Sequence, residues 1–332
     1  MSLERVDPGD SGAGLVEVFV DSVAYGGAGV GRVDGKVYFV PFTIPGERVL
    51  ARPVRDRKRF CEARLVSVVS ASERRRVARC PVFGRCGGCA YQHVDYAVQL
   101  EWKRAQVAEL FSRVARLPDA PVKPTVPSPE PWGYRNRIRV HVRGGCVGFF
   151  ERDSRQVVEV EACVIAAEPV NAALARFRSE RPEDGERTLS ARPGVKFFEQ
   201  TNDGAASALV GVVAEGMRGG RALLVDAYCG AGFFGRTFAP RFDRVVGIES
   251  HEGAVAAARR GATGKERYLA GDVGVLLGEV LEAARREAAV VLLDPPAAGV
   301  CARVVDLLVA MPVGELVYVS CDPGTQARDV KA

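Results

Sequence analysis

The amino-acid sequence predicts an α/β protein, in which a small β-barrel and a cysteine-rich α+β region precede a doubly wound parallel sheet. Three observations lead to this fold class. Strand and helix patterns alternate from residue 221 onward, which is typical of a parallel sheet. Short strands with glycine turns fill residues 15–70, and three cysteines lie between residues 80 and 89. These changes of pattern divide the chain into three expected domains, at residues 12–72, 73–195 and 196–332.

The first expected domain is the β-barrel. Its signals are an alternating segment at residues 16–21, a glycine-rich segment at 26–31, an apolar segment at 36–40, and two further segments at 48–54 and 60–69. Short strands at this spacing favour a small barrel of the nucleic-acid-binding OB type. Residues 48–79 carry eleven Arg or Lys against three acids, whereas the whole chain has a net charge of only +5. The basic segment 52–59 would form the rim of the barrel or a hairpin.

Cys80, Cys86 and Cys89 form a candidate metal-binding loop, because the glycines between them let the backbone fold around a metal. A fourth ligand must come from elsewhere, and Cys146 and Cys163 are the nearest candidates. Zinc sites usually pair two short Cys-containing elements. Three cysteines in one loop with a fourth from elsewhere in the chain suit a cubane iron–sulfur cluster better. The alternative is three unrelated buried cysteines. Nine cysteines without a secretory signal favour thiol or metal chemistry over disulfides.

Two features of the middle of the chain bear on RNA binding and on helix content. Residues 132–143 contain four Arg, two aromatic residues and no acid. Together with the first basic stretch, this run favours nucleic-acid binding over an ordinary solvated surface.

Residues 95–116 have the apolar spacing of an amphipathic helix, and Asn202 or Asp203 would cap a further helix.

The expected parallel sheet carries a nucleotide-type site. Its strands are predicted at residues 222–226, 244–249, 267–270, 290–293 and 315–320. A glycine turn, Tyr228 to Gly232, follows the first strand, and Glu249 ends the second, where an acid can bind ribose hydroxyls. The loop formally matches a dinucleotide fingerprint, yet S-adenosylmethionine suits it equally. Cys321 follows the fifth strand at the ligand-binding edge, and its alternative role is that of a small packing residue.

The motifs occur in one order: Cys80, Cys86, Cys89 and Cys163; Phe198-x-Gln200-x-Asn202; Asp226 to Gly232; Glu249; Asp294-Pro295-Pro296; and Ser320-Cys321-Asp322-Pro323. This order resembles that of the RNA uracil-C5 methyltransferases. The branch that the chain resembles most has an N-terminal TRAM barrel and a [4Fe–4S] cluster, and it typically acts on 23S ribosomal RNA. The resemblance therefore implies a Rossmann-like S-adenosylmethionine-dependent methyltransferase domain after a TRAM barrel and an iron–sulfur-containing central domain.

The resemblance also assigns roles to individual residues. It implies that Cys321 is the nucleophile and that Cys80, Cys86, Cys89 and Cys163 hold the cluster. Contacts with S-adenosylmethionine are expected from Gln200, Tyr228, Gly230, Glu249, Asp272 and Asp294. The chemistry agrees, because uracil C5 attacks a sulfonium methyl group only after a thiolate has added at C6. The uracil must also leave its RNA stack, and Gln200 and Asp294 could then read its edge.

Several positions depart from the family pattern. Ala297 and Ala298 stand where an Arg is often found, Phe233 replaces a common Asn, and Asp322 replaces another. The resemblance places the base that removes the C5 proton in a segment after Ala332. We therefore expect a shortened chain that binds cofactor and RNA, turns over inefficiently and leaves its fifth strand at a sheet edge.

Other functions stay open at this point. The alternatives are a tRNA uracil-C5 methyltransferase, a catalytically impaired RNA-binding protein of the same fold and a methyltransferase of another specificity. Methylation of a base amino group usually places an aromatic residue after Asp-Pro-Pro, and Ala297 argues against it. No stretch resembles a signal peptide or a membrane span. We expect a cytoplasmic protein that has RNA as its partner, without membrane association or an obligate protein partner.

Overall fold

Among the described residues, the fold contains a five-stranded barrel with one parallel strand pair, a four-stranded antiparallel sheet and a five-stranded parallel sheet. The structure is a computed structural model that describes residues 14–192, 194, 200–218, 221–284 and 289–332. Contacts divide the chain into two units. One unit holds residues 1–106 and 122–193, and the other holds residues 107–121 and 194–332. In the described part of the chain, no helix combines the length and apolar character needed to cross a bilayer.

The first unit begins with the predicted barrel, which is confirmed. Its strands are β1 (Val16–Val23), β2 (Ala28–Val33), β3 (Lys36–Pro41), β4 (Arg48–Asp56) and β5 (Phe60–Ser70). They close in the order β1-β2-β3-β5-β4, with β3 and β5 parallel. Alternate residues such as Val18 and Val20 are fully buried, as the two-residue period of a strand requires. The basic segment 52–59 lies at the β4–β5 hairpin, as expected.

The second sheet of this unit has the order β8-β7-β6-β9. Its strands are β6 (Arg137–Arg143), β7 (Cys146–Phe150), β8 (Val157–Glu159) and β9 (Gly185–Ser190). Helix α2 (Glu168–Ser179) buries Val170 and Leu174 in one apolar cluster with Val140 and Val142 of the sheet. Along β6, the basic residues at positions 137, 139, 141 and 143 alternate with the buried residues at positions 138, 140 and 142.

Helix α1 (Tyr96–Leu110) confirms the predicted helix, but its burial differs from the amphipathic expectation. Its buried side chain is the polar Gln106. The Gln106 amide donates to the carbonyl oxygens of Val23 and Ala24 at 3.3 and 3.2 Å. A buried amide group is tolerated when its hydrogen bonds are satisfied. The apolar spacing of residues 95–116 did not indicate that Gln106 would be buried.

The second unit contains the predicted parallel sheet, which is confirmed. Its strands are β10 (Leu223–Ala227), β11 (Arg244–Glu249), β12 (Glu266–Ala270), β13 (Ala289–Leu293) and β14 (Glu315–Tyr318), in the order β12-β11-β10-β13-β14. β10 and β13 are buried along their whole length, as central strands of a parallel sheet are. β14 ends two residues earlier than predicted, because the Ser320 hydroxyl accepts a hydrogen bond from the Asp322 amide in the turn that follows.

Helices complete the α/β alternation. They are α3 (Asp203–Gly216), α4 (Phe233–Phe238), α5 (Glu252–Arg260), α6 (Val273–Glu282), α7 (Ala302–Ala310) and α8 (Pro323–Lys331). Asn202 caps α3 as predicted, because its side chain accepts a hydrogen bond from the Ala205 amide at 2.9 Å. His251 caps α5 through Nδ1, which accepts from the Ala254 amide at 3.1 Å.

Candidate functional site

The carboxyl edge of the parallel sheet brings together most of the residues that the sequence singled out. Tyr228 and Gly230 follow β10, Glu249 ends β11, Asp272 follows β12, Asp294 follows β13 and Cys321 follows β14. Because all five strands are parallel, these residues share the edge at which open α/β sheets bind ligands. Gln200 precedes α3 in the same unit. Phe198 of the expected motif lies outside the described residues.

The loop between β10 and α4 is strained at Tyr228. Its φ is 63°, in the left-handed region that a bulky side chain rarely adopts, and Gly230 and Gly232 follow with φ of 53° and 83°. Burial raises the pKa of Tyr228 to about 12, with smaller contributions from Cys301, Asp272 and Asp329. The phenol is therefore neutral at physiological pH. An uncharged aromatic ring at this position suits contact with a flat, uncharged group such as a purine.

Asp226 links β10 to the first turn of α4, directly after this loop. It is fully buried, and its Oδ2 accepts a hydrogen bond from the Gly235 amide at 2.7 Å. Oδ1 has no hydrogen-bond partner in the part of the chain that the structure describes. Burial raises the pKa of the carboxyl group to about 7, and Asp294 and Glu249 raise it further against the effect of the Gly235 hydrogen bond. The motif contained Asp226, but sequence reasoning gave it no role.

Glu249 links the end of β11 to the same loop. Its carboxylate accepts hydrogen bonds from the Gly230 amide at 3.1 Å and from the His251 amide at 2.7 Å. These two contacts fix both the glycine turn and the first turn of α5. The carboxylate thus lies where an acid binds ribose hydroxyls in related sheets.

Tyr268 of β12 lies beneath the loop, and sequence reasoning missed it. The residue is 2% exposed, and its hydroxyl donates to Glu266 Oε2 at 2.7 Å. A Cβ atom on Gly232 would lie 2.7 Å from the Tyr268 hydroxyl, and one on Gly247 would lie 2.4 Å from its ring. These glycines therefore leave room for the buried ring. An aromatic residue directly after Glu266 and Arg267 was the signal in the sequence.

Cys321 is exposed, so the alternative that it is a packing residue is wrong. It lies in the turn between β14 and α8. Asp322 caps α8, because its Oδ1 accepts from the Gly324 and Thr325 amides at 2.8 and 2.9 Å. The cap fixes the backbone on the carboxyl side of the thiol.

Asp294 lies at the end of the neighbouring strand, where its amide donates to the Ala227 carbonyl at 3.2 Å. Burial raises the pKa of its carboxyl group to about 6. This value places the change of charge close to physiological pH. The group can therefore donate a proton in a hydrogen bond below that pH and act as an acceptor above it.

The cysteine loop of the first unit pairs with the turn after β7. The Gly87 amide donates to the Phe150 carbonyl at 3.0 Å, and the Arg152 amide donates to the Arg85 carbonyl at 3.0 Å. A Cβ on Gly87 would lie 3.3 Å from the Phe150 oxygen, so this close pairing is tight for a larger residue. The loop also borders a surface cavity of about 420 Å³ lined by Gly88, Phe149 and residues 150–153.

Two cysteine thiols of this loop have raised pKa values. Burial is the largest cause that raises the pKa of Cys86 and Cys89, and Cys80 and Cys163 raise both values further. Cys146 is in a different setting, because its Sγ donates to the Val157 carbonyl at 3.7 Å and burial and Glu159 raise its pKa. Of the two candidates for a fourth ligand, Cys163 is the one whose charge raises the pKa of Cys86 and Cys89 in the loop.

No three His, Cys, Asp or Glu side chains among the described residues are placed to hold one metal ion. The donor set nevertheless fits a thiolate-bound group. Gln92 accepts a hydrogen bond from the Cys80 amide at 3.0 Å, and its Nε2 is buried. The Gln92 side chain lowers the pKa of Cys89 against the larger effect of burial. A buried amide donor beside Cys80 and Cys89 is suited to a cluster sulfur or a charged thiolate.

Comparison with known proteins identifies the barrel and the family. Residues 15–66 match the model of the TRAM domain. An uncharacterized RNA methyltransferase of Bdellovibrio bacteriovorus is 32% identical over 337 residues, which cover 95% of this chain and 85% of that protein. An uncharacterized RNA methyltransferase of Gloeobacter violaceus is 31% identical, with coverage of 98% and 92%.

A solved structure shares the fold. The Pyrococcus abyssi tRNA (uracil-54, C5)-methyltransferase, solved with S-adenosyl-L-homocysteine, matches with a TM-score of 0.70 and 23% identity, over 95% of this chain and 92% of that one. The fold of the two proteins is therefore the same along nearly the whole chain. With the TRAM domain and the relatives above 30% identity, the chain belongs to the family of RNA methyltransferases that these relatives represent.

Proposed function

We propose that the protein transfers a methyl group from S-adenosylmethionine to C5 of a uridine in RNA. The observation that carries the proposal is the exposed thiol of Cys321 at the sheet edge that also holds Tyr228, Glu249 and Asp294. A nucleophile beside a nucleotide-type site is needed for C5 methylation, in which it adds to C6 of the uracil. Methylation of a base amino group does not use such a nucleophile.

The proposed mechanism begins with addition of the Cys321 thiolate to C6 of uracil. The ring electrons then move toward O4, which makes C5 nucleophilic. When bound, S-adenosylmethionine would supply the electrophilic methyl group: C5 forms a bond to the methyl carbon while the bond from that carbon to the sulfonium sulfur breaks, which leaves neutral S-adenosylhomocysteine. A base next removes the C5 proton, the electrons return to the ring, and the bond between Cys321 and C6 breaks to release the thiolate. Asp294, with its raised pKa, and Gln200 would hydrogen-bond the edge of the flipped uracil.

The cofactor would lie against the glycine loop. Glu249 would bind the ribose hydroxyls, and Tyr228 would cover the adenosine. Gly230 would allow close approach of the backbone, and Asp272 would bind at the end of β12. These roles are supported by the shared edge of the sheet and by the two hydrogen bonds that already fix the Glu249 carboxylate.

The first unit would provide RNA binding and the metal centre. We assign residues 12–72 to a TRAM barrel, residues 73–195 to a central domain and residues 196–332 to the methyltransferase domain. Cys80, Cys86, Cys89 and Cys163 would hold a [4Fe–4S] cluster, with the buried Gln92 amide beside them. The proposed RNA is 23S ribosomal RNA, and tRNA is the alternative because the solved neighbour is a tRNA methyltransferase.

The test uses RNA that contains 5-fluorouracil. Fluorine at C5 cannot leave as a proton, so the full chain with S-adenosylmethionine should form a covalent adduct that survives denaturing electrophoresis. Cys321→Ala should abolish the adduct. Cys301→Ala is the matched control, because Cys301 is the other exposed cysteine of the same unit, and it should retain the adduct. An adduct that persists in Cys321→Ala would remove this residue from the mechanism.

The substrate is identified by labelling. Undermodified ribosomal RNA and tRNA would be incubated separately with radiolabelled S-adenosylmethionine, and the labelled nucleoside would be mapped. Label in 5-methyluridine of 23S RNA is the expected result. Label in tRNA alone would favour the alternative substrate. RNA binding without any label would favour a catalytically impaired RNA-binding protein.

A further inference from the structure

A buried carboxylate on α8 holds the loop that follows Asp294. The Asp329 side chain is 5% exposed. Its Oδ2 accepts hydrogen bonds from the Val300 amide at 2.9 Å and from the Tyr318 hydroxyl at 2.7 Å. A Cβ on Gly299 would lie 2.4 Å from the same oxygen, and Gly299 has a φ of 81°. A larger residue at position 299 would therefore displace the carboxylate.

Arg328 pairs with the other oxygen of the Asp329 carboxylate. Its Nε and Nη2 donate to Asp329 Oδ1 at 2.8 and 2.6 Å, and Nη2 also donates to the Ala298 carbonyl at 2.8 Å. The buried charge of Asp329 is thus paired, and both of its oxygens are used. The guanidinium group reaches the loop at Ala298, one of the positions where the sequence departs from the family pattern. We call these contacts of Arg328 and Asp329 with residues 298–300 and Tyr318 the α8 latch.

The α8 latch joins the two segments that carry the proposed chemistry. On one side it holds residues 298–300, which follow Asp294. On the other side it holds Tyr318, which ends β14 three positions before Cys321. The Gln326 amide adds a hydrogen bond to the Tyr318 carbonyl at 3.0 Å. The charge of Asp329 also contributes, after larger effects, to the raised pKa of Tyr228 in the glycine loop.

We propose that Asp329 is a positioning residue, which fixes the Cys321 turn relative to Asp294 through its hydrogen bonds with Tyr318 and Val300. The inference rests on the proposed function, because the thiol must meet C6 of a uracil whose edge Asp294 would hold. A misplacement of about 1 Å in such an arrangement can cost about a hundredfold in rate. The residues proposed to bind the cofactor lie mainly on β10, β11 and β12, so the latch should affect the thiol far more than the cofactor.

The test compares Asp329→Asn with Asp306→Asn, an exposed acid on α7 of the same unit. In Asp329→Asn an NH₂ group must face either Arg328 or the Val300 and Tyr318 donors, so the latch loses contacts on one side. We expect the rate of adduct formation with 5-fluorouracil RNA to fall by about tenfold or more. We expect the Kd for S-adenosylmethionine, measured by calorimetry, to stay within about threefold. Asp306→Asn should match the wild-type chain in both measurements.

Tyr318→Phe provides a milder test, because it removes one hydrogen bond and keeps the ring. It should slow adduct formation less than Asp329→Asn, and the double variant should be no slower than Asp329→Asn alone, because both changes act through one contact. A wild-type rate in Asp329→Asn, or an equal loss of cofactor affinity, would overturn the positioning role.

Hydrogen exchange separates this inference from the proposed function. If the wild-type chain forms no adduct, the proposed function fails, but exchange still tests the latch. Asp329→Asn should then weaken protection in residues 298–301 and in residues 316–321 together, while residues 244–249 of β11 keep theirs. A change confined to α8 itself would show that the latch does not connect the two segments.

Discussion

Asp226 has an unusual electrostatic position for a carboxyl group. Its carboxyl group is fully buried, and one oxygen has no hydrogen-bond partner among the described residues. Its pKa of about 7 lies well above the value of about 3.9 in an unfolded chain. The folded state therefore holds the proton more tightly than the unfolded state does. The resulting stability is fully present below about pH 4 and is lost as the pH rises through about 7.

Asp226→Asn should remove this pH dependence, because the amide has nearly the same shape and never ionises. The free energy of unfolding of the variant, relative to the wild-type chain, should rise by about 2 kcal/mol between pH 5 and pH 8. Urea denaturation at the two pH values measures the difference. Asp306→Asn, at an exposed position, serves as the control and should show no such rise. Parallel pH profiles for Asp226→Asn and the wild-type chain would contradict the raised pKa.

At the scale of elements, the strands of the parallel sheet could be predicted to within one or two residues. Most are short apolar runs that an acid or a glycine ends or follows, as at Glu249, Gly271 and Asp294, and these signals are local. The common edge for Tyr228, Glu249, Asp272, Asp294 and Cys321 then followed from the parallel arrangement.

Contacts between distant elements could not be predicted in the same way. Tyr268 lies below Gly232 and Gly247 only because β12 pairs with β11 in one register. Asp329 reaches the Val300 amide from 29 positions away in the sequence. The sole buried side chain of α1 is Gln106, whose partners lie in and just after β1. Each of these contacts depends on packing that no local pattern encodes.

The cysteine loop allows a prediction at the scale of this element. If Cys80, Cys86, Cys89 and Cys163 hold a [4Fe–4S] cluster, protein purified without oxygen should be brown and contain iron and sulfide. Cys163→Ala should remove most of the iron, because a cubane cluster needs four ligands. Cys146→Ala is the matched control, since Cys146 contacts β8 instead, and it should retain the colour. Stoichiometric zinc in place of iron would contradict the cluster.

At the scale of the whole molecule, the charge is unevenly distributed. The chain has a net charge of +5, yet residues 48–79 alone carry eleven Arg or Lys against three acids. The structure exposes Arg57, Lys58 and Arg59 between β4 and β5 of the TRAM barrel. Exposed cations on a nucleic-acid-binding barrel should bind phosphates, and each phosphate contact releases counterions. The barrel should therefore contribute a salt-dependent part of the affinity for RNA.

The triple variant Arg57→Ala, Lys58→Ala and Arg59→Ala tests this contribution. The slope of log affinity against log salt concentration should become shallower by about 2 for single-stranded RNA, because three contacts at about 0.7 each are lost. Fluorescence anisotropy with labelled RNA at several salt concentrations gives the slope. Affinity for S-adenosylmethionine should not change, since its proposed residues lie in the other unit. Arg260→Ala, which removes an exposed charge from α5, is the control for a general charge effect. An unchanged slope in the triple variant would show that the RNA contacts lie elsewhere, and the second basic run at residues 132–143 would then be the next segment to test.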